Sequence, residues 1–188
     1  MGQGLFTKVA QIVAEELQVD VDTIQITPTQ TGKVPNTSAT AASSGTDLNG
    51  MAAQDAARTI RQRLTAFAAA HHEVPESEVV FGPGRVRVGG TEMRFADLVM
   101  LAHLHRIQLS ATGFYRTPKI WWDPEKAKGR PFFYFAYGAA VTEVVIDTLT
   151  GENRVLAVDI LHDVGRSINP AIDAGARSRA HSFRVWAG

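Results

Sequence analysis

Two stretches of this chain carry residue types suited to holding an anionic or flat polar ligand. The first is Gly2-Gln3-Gly4, directly ahead of a helical pattern that starts at Leu5. The second is the polar run Val34-Pro-Asn-Thr-Ser-Ala-Thr-Ala-Ala-Ser-Ser44, which feeds another helical pattern. A carboxamide such as that of Gln3 can donate to an anionic oxygen without adding a formal charge. Gly2 and Gly4 on either side let the backbone approach closely, and the free amides at a helix start favour anions. In the second stretch the hydroxyls of Ser43 and Ser44, with nearby amides, can satisfy polar ligand atoms. A plainer reading of Thr40–Ser44 is a helix cap, which Ser43, Ser44, Thr46 or Asp47 could each supply. With such a loop already at residue 2, the chain is expected to begin in the middle of a larger fold.

Around these stretches the composition is that of a globular chain. Its 188 residues, 45% of them hydrophobic, suffice for one or two cores. Nineteen basic and nineteen acidic residues balance, so no field gathers nucleic acid or anionic lipid over a whole face. There is no cysteine, which excludes disulfides, iron–sulfur ligation and thiolate metal sites within these residues. No apolar stretch approaches the length of about 20 needed to span a bilayer, and no basic, apolar leader precedes the first loop. The expectation is a soluble cytoplasmic protein.

The elements that would position the two loops follow from periodicity. Leu5, Val9, Ile12, Val13 and Leu17 recur at helical spacing. Thr23-Ile-Gln-Ile-Thr27 alternates like a short strand, and Gln30 to Ser44 is longer than a simple connection requires, hence a binding loop or slack. A second helix carries Leu48, Met51, Ala52, Ala56, Ile60, Leu64 and Phe67 on one face, and Val74-Pro75 ends it. Glu78 to Val88 predicts two strands about Gly82-Pro-Gly84, and a third, broadly apolar helix runs from Arg94 to about Arg106. Ile107–Gly113 resumes strand character, and Phe132–Val145 with Arg154–Leu161 predicts a hairpin. Its Gly138-Ala-Ala140 interruption admits a close neighbour to the backbone. The whole pattern is α+β without a repeated βαβ signature.

Other constellations carry less chemistry. His71-His72 ends a helix with no acidic or histidine partner at ligand spacing, so no metal site is expected there. Trp121-Trp122 with Lys119, Lys126 and Lys128 could stack nucleic-acid bases, but Asp123 and Glu125 interrupt the charge, and contact with protein outside the chain is the expectation. His162 and Asp163, adjacent on a strand, face opposite ways and do not form an acid/base pair. Arg116 could bridge several carbonyls and position a loop, or make a solvent ion pair.

Taken in order, Gly2-Gln-Gly4, Val34-Pro-Asn-Thr-Ser38, Thr40-Ala-Ala-Ser43, Asp47-Leu-Asn-Gly50, Gly113-Phe-Tyr-Arg-Thr-Pro118, Tyr134-Phe-Ala-Tyr-Gly138 and Asp163-Val-Gly-Arg-Ser-Ile-Asn-Pro-Ala-Ile-Asp173 resemble the molybdopterin-binding large subunits of the xanthine dehydrogenase family (xanthine oxidase and aldehyde oxidase). The resemblance covers about residues 1 to 175. It implies oxidative hydroxylation of hypoxanthine and xanthine in the complete enzyme, at a molybdenum ion held by molybdopterin. Iron–sulfur clusters and FAD would sit in partner domains or subunits. It implies cofactor contacts from Gly2, Gln3, Gly4, Thr40, Ala41, Ala42, Ser43 and Ser44, with Ala41 and Ala42 also lining the purine pocket. The cofactor holds the metal, so no protein metal ligand is expected. Aldehyde oxidoreduction by the same superfamily is the alternative activity, and Gly113-Phe-Tyr-Arg-Thr-Pro118 favours the xanthine branch.

The same resemblance implies parts that these residues lack. The family's catalytic base is a glutamate in a Gly-Glu-Pro loop, and no such tripeptide occurs here. No catalytic residue is therefore assigned, and an inactive fragment needing the missing remainder of the subunit and an iron–sulfur/FAD subunit is expected. The division implied is a molybdopterin-binding portion over 1–106 with two cofactor-facing loops and three helices, a β-rich portion over 107–175, and an aberrant tail over 176–188. Where the family continues Gln-Val-Glu-Gly, this chain reads Ala176-Arg-Ser-Arg-Ala-His-Ser-Phe-Arg-Val-Trp-Ala-Gly188. A back-translation read one frame over restores Gln-Val-Glu-Gly-Ala-Leu-Val-Gln-Gly-Met-Gly-Trp, so the tail is expected to be a frameshift product left exposed or disordered.

Overall fold

The computed structural model describes residues 4–28, 30, 32, 44–163 and 165–173, and the backbone of 183–186. The chain forms two compact units, Gly4–Arg116 and the described residues from Thr117 onward. Their helices and small sheets make the α+β class expected from the pattern.

The first unit holds helices α1 (Leu5–Leu17), α2 (Gly45–His71) and α3 (Phe95–Leu104) and the strands β1 (Val79–Gly82), β2 (Arg85–Val88) and β3 (Thr91–Arg94), in the order β1-β2-β3. Antiparallel register pairs Val79 with Val88 and Phe81 with Val86, which puts all four side chains on one buried face. That face meets Leu64, Ala68 and Ala69 of α2 and Leu98 and Ala102 of α3 in one apolar cluster. Each large aliphatic residue in it contributes about 1.5–3 kcal/mol by leaving water. The turn between β1 and β2 is fixed at both sides: the Gly84 amide donates to the Gln18 carbonyl at 2.7 Å, and the Phe95 amide to the Gly84 carbonyl at 2.9 Å. The turn requires glycine at position 84, where φ is +67°.

Two expectations fail in this unit. Thr23–Thr27 is not a strand: a 3-10 turn spans Val21–Thr23 and irregular chain follows, because alternation makes a strand only where a partner edge exists. Ile107–Gly113 is extended but joins no sheet, and its carbonyls are taken instead by Arg63, whose Nη1 donates to Gln108 at 3.3 Å and Ser110 at 2.8 Å. Residues 107–116, assigned by pattern to the β-rich portion, thus group with the helical unit. The bridging of several carbonyls considered for Arg116 belongs to Arg63.

The second unit begins with a hairpin, β4 (Trp121–Asp123) with β5 (Lys128–Arg130), closed by Asp123 Oδ1 accepting from the amides of Glu125 and Lys126. A three-stranded sheet follows in the order β6 (Gly138–Ile146), β7 (Asn153–His162), β8 (Phe183–Trp186). β6 and β7 pair antiparallel with a bulge at Glu143/Val144. Their connection is held by Asp147 Oδ1, which accepts from the amides of Leu149 (2.8 Å) and Thr150 (3.1 Å). These two bonds hold the Asp147 carboxyl below the usual carboxylate range. What approaches Gly138 is its own partner strand: a Cβ there would stand 3.0 Å from the His162 ring and from the Leu161 carbonyl.

The Asn-Pro pair of the 163–173 motif starts a helical turn. Asn169 Oδ1 accepts from the Ile172 amide at 3.0 Å and Pro170 takes the first position, where its missing N–H costs nothing. Ser167 Oγ donates to Asp173 Oδ2 across the turn. Within the tail, the backbone of Phe183–Trp186 pairs in parallel with Val158–Leu161. A Phe-Arg-Val-Trp run has the residue types of a strand, and β7 offers it an edge.

Candidate cofactor site

Helices α1 and α2 lie side by side and parallel. Ile12 meets Gly50, where an added Cβ would stand 2.6 Å from Ile12 Cδ1. One turn further along α1, Glu16 accepts from Gln54 Nε2 at 3.1 Å and pairs with Arg58 and Arg61. The partners advance together along both helices. Arg61 also donates from Nη1 to the Glu16 carbonyl at 3.0 Å, satisfying one carbonyl in the last turn of α1, and lies over the Phe81 ring at 5.0 Å. The side chain of Glu16 is 12% exposed, so its partners are gathered around a largely desolvated carboxylate.

Parallel packing brings both helix starts to one end. From the Ile12–Gly50 contact, Leu5 lies about 10 Å back along α1 and Gly45 about 8 Å back along α2, at about 1.5 Å per residue. Gly4, in the left-handed region at φ +67°, is the cap of α1, and Ser44 is the cap of α2. Neither cap residue gives its helix a side-chain hydrogen bond. The plain capping role considered for Ser44 is therefore not what its hydroxyl does. First-turn amides lie outside the intrahelical ladder, and the two positive dipole ends stand together. The donor set at this end suits an anionic, hydrogen-bond-accepting group such as a phosphate. Asp47 is the one acid in either first turn.

Of the residues assigned to the cofactor by resemblance, Gly4 and Ser44 are the two that fall here, each as a helix cap. Gly2, Gln3, Thr40, Ala41, Ala42 and Ser43 lie outside the described residues. The donors at the shared end suit a phosphate-like group, and Gly4 and Ser44 stand at the two caps beside them. A glycine outside the expected set also shapes this region. A Cβ on Gly113 would stand 1.8 Å from the Ala52 carbonyl and 2.7 Å from the Ala56 nitrogen, and the adjacent Phe114 amide donates to Asp55 Oδ2 at 3.1 Å. The Gly113-Phe-Tyr-Arg116 segment is thereby clamped onto the N-terminal half of α2. Its glycine could be read from the sequence, but the helix it touches lies about sixty residues back and could not.

The remaining candidates lie away from the paired helix starts. His71 stacks with Phe67 (5.5 Å), His72 (5.2 Å) and His105 (5.1 Å), and among the described residues no group of three His, Cys, Asp or Glu could hold a metal ion. Asp163 accepts from the Gly165 amide through Oδ1 while its own amide donates to the Tyr137 carbonyl. An apolar groove of about 700 Å³ lined by Leu17, Ile24, Phe95, Val99, Met100 and Leu109 sits at the C-terminal end of α1, away from the paired helix starts. No helix among the described residues is long and apolar enough to cross a membrane.

Residues 1–176 match the molybdopterin cofactor-binding domain family. The chain belongs to this family. This molybdopterin-binding domain is 46% identical over 175 residues to the xanthine dehydrogenase of Oryza sativa subsp. japonica, covering 93% of this chain and 11% of that one. It is 45% identical over 175 residues to the xanthine dehydrogenase/oxidase of Felis catus, covering 93% of this chain and 12% of that one. Among solved structures, the Cu,Mo-CO dehydrogenase superposes with a TM-score of 0.72 at 28% identity, covering 93% of this chain and 21% of the other. Quinoline 2-oxidoreductase from Pseudomonas putida 86 superposes at 0.70 and 27%, covering 94% and 22%. The domain spans about a tenth of the length of the curated relatives it matches. The two solved relatives are named for different substrates, so the fold by itself selects none.

Proposed function

We propose that this domain supplies one wall of the molybdenum cofactor site in a xanthine dehydrogenase-type enzyme, whose complete form hydroxylates hypoxanthine and xanthine oxidatively. The 46% identity to the rice xanthine dehydrogenase across 93% of the chain carries this reading. When bound, the molybdenum cofactor would supply the oxygen transfer and accept the electron pair. Electrons would leave through iron–sulfur clusters and FAD on partner domains or subunits, and the cysteine-free composition requires at least the clusters to be ligated elsewhere. Cytoplasmic residence belongs to the same proposal.

The chain's own contribution is to bind and orient. Amides at the paired starts of α1 and α2 hold the anionic end of the cofactor, with Gly4 and Ser44 at the two caps. By the family resemblance, Gln3 is assigned as a donor to an oxygen on the metal side, and Ala41 and Ala42 to the floor of the purine pocket. Proton removal is not among its tasks: a general base must stand within hydrogen-bond reach of the proton it takes, and the Gly-Glu-Pro loop is missing from these residues. The 188-residue chain by itself is therefore inactive.

A chimera tests the assignment. Residues 1–175 replace the corresponding segment of rice xanthine dehydrogenase, and the purified protein is assayed for molybdenum, for oxidised pterin fluorescence and for xanthine-dependent dye reduction. The expected result is a pterin-loaded protein that oxidises xanthine, beside an inactive 188-residue chain. A soluble, folded chimera without pterin would refute the cofactor assignment. One with pterin that oxidises aldehydes and not xanthine would move the domain to the aldehyde branch.

A further inference from the structure

We propose that the outer edge of β6 receives an extended segment of the molybdenum subunit from outside these 188 residues, completing the sheet of the second unit. The inference rests on the reading of the chain as part of such a subunit. β6 runs nine residues from Gly138 to Ile146 and stands at the edge of its sheet, with β7 on one side. In an antiparallel pair alternate residues turn their N–H and C=O away from the partner, so β6 presents a row of donors and acceptors on its other side. Among the described residues none of these groups is bonded outside the β6–β7 ladder.

Free edges of folded proteins carry features that discourage pairing: lysines, prolines, short length or covering loops. β6 has no proline and no lysine, and Glu143 is its one charge. Its apolar side chains are bare, Val141 at 70% and Ile146 at 61% exposure, as are Val155 and Leu161 of β7. A sheet left open on its edge and its faces is built to be covered. The one device present is the bulge between Glu143 and Val144, which limits regular pairing to Gly138–Glu143. The incoming segment therefore pairs over about six residues, a common strand length. It carries apolar side chains and no proline at its pairing positions.

Most of the relatives' polypeptide is available to provide such a segment, since the chain accounts for 11% of the rice xanthine dehydrogenase and 21% of the Cu,Mo-CO dehydrogenase chain. A second copy of this chain is the competing occupant, and the protection it would give grows with protein concentration.

Hydrogen–deuterium exchange with single-residue readout on the rice chimera decides the matter. Amides of β6 bonded to β7 are slow in any folded form and serve as the internal reference. The expected result is that the alternate, outward amides of Gly138–Glu143 are also slow in the pterin-loaded chimera, and exchange at least a hundredfold faster in the 188-residue chain. Fast outward amides in a pterin-loaded chimera overturn the proposal while leaving the functional reading intact, whereas a folded chimera without pterin fails the reading itself. Protection in the 188-residue chain that grows with protein concentration gives the edge to a second copy and also overturns it.

Discussion

Gly113→Ala is expected to unfold the helical unit far more than its size suggests. The added Cβ would lie 1.8 Å from the Ala52 carbonyl oxygen, 2.7 Å from the Ala56 nitrogen and 2.9 Å from the Ala52 carbonyl carbon, all main-chain atoms of a helix. No side chain can rotate to make room. Reaching the ordinary contact distance of 3.4 Å would move the segment by about 1.6 Å, the difference between 3.4 and 1.8. That displacement breaks the 3.1 Å bond from the Phe114 amide to Asp55. Overpacking costs about 1–3 kcal/mol, and a hydrogen bond to a charged group about 1.5–3 kcal/mol. The sum is about 2.5–6 kcal/mol, a large share of the about 5–15 kcal/mol that a domain has. Gly50→Ala is the control. Its Cβ meets the Cδ1 end of Ile12 at 2.6 Å, which a rotamer change relieves, and alanine gains about 1 kcal/mol over glycine within a helix. Urea unfolding followed by circular dichroism at 222 nm reports the helices. A Gly113→Ala midpoint within experimental error of the wild type, or a Gly50→Ala loss equal to it, would refute the reasoning.

Arg61→Met keeps the stem but removes the bonds to the Glu16 carbonyl and carboxylate; a loss of about 1–3 kcal/mol is expected in the same urea assay. Asn169→Ala removes the cap of the turn at Pro170 and should cost about 1 kcal/mol locally, read as faster amide exchange at Ile172. The Asp147 carboxyl is held low by the Leu149 and Thr150 amides, so its contribution to the β6–β7 connection is complete above the ordinary aspartate pKa of about 3.9 and is lost as pH falls through the lowered value. Acid titration of the Asp147 carboxyl by NMR should follow that order, and Asp147→Asn should weaken the acid dependence. Resequencing the gene through the codons for Gly175 to Gly188 is expected to reveal an alternate frame encoding Gln-Val-Glu-Gly; a single open frame without it would sink the frameshift explanation.

Elements whose residues all bear on one face were legible in the sequence. Helix α2 and the Gly82-Pro-Gly84 turn lie where the pattern put them, since helix period and turn chemistry are local, whereas Leu48 and Met51 at the start of the expected stripe stand exposed. Thr23–Thr27 was misread because its alternation had no partner strand, and Trp121-Trp122, read only as a contact surface, open a hairpin closed by Asp123. The family was recognised through the ordered motifs. The parallel pairing of α1 and α2 was not, because it depends on Glu16 finding Gln54 and Arg61, partners 38 and 45 residues away.

That pairing has a consequence for the order of folding. Twenty-seven residues separate Leu17 from Gly45, and the chain must return along the length of α1, about 20 Å, before α2 can begin beside it. Extended chain covers that distance in about six residues, so the stretch is long enough that its length can vary without disturbing the helix pair. Its closure entropy must still be met before any α1–α2 contact forms. The cluster of α2, β1, β2 and α3 joins neighbours in sequence and closes shorter loops. Local clusters assemble quickly and distant docking follows. On that argument α1 is expected to dock onto a core built from nearer neighbours, so that the paired helix starts form with this docking and not before it.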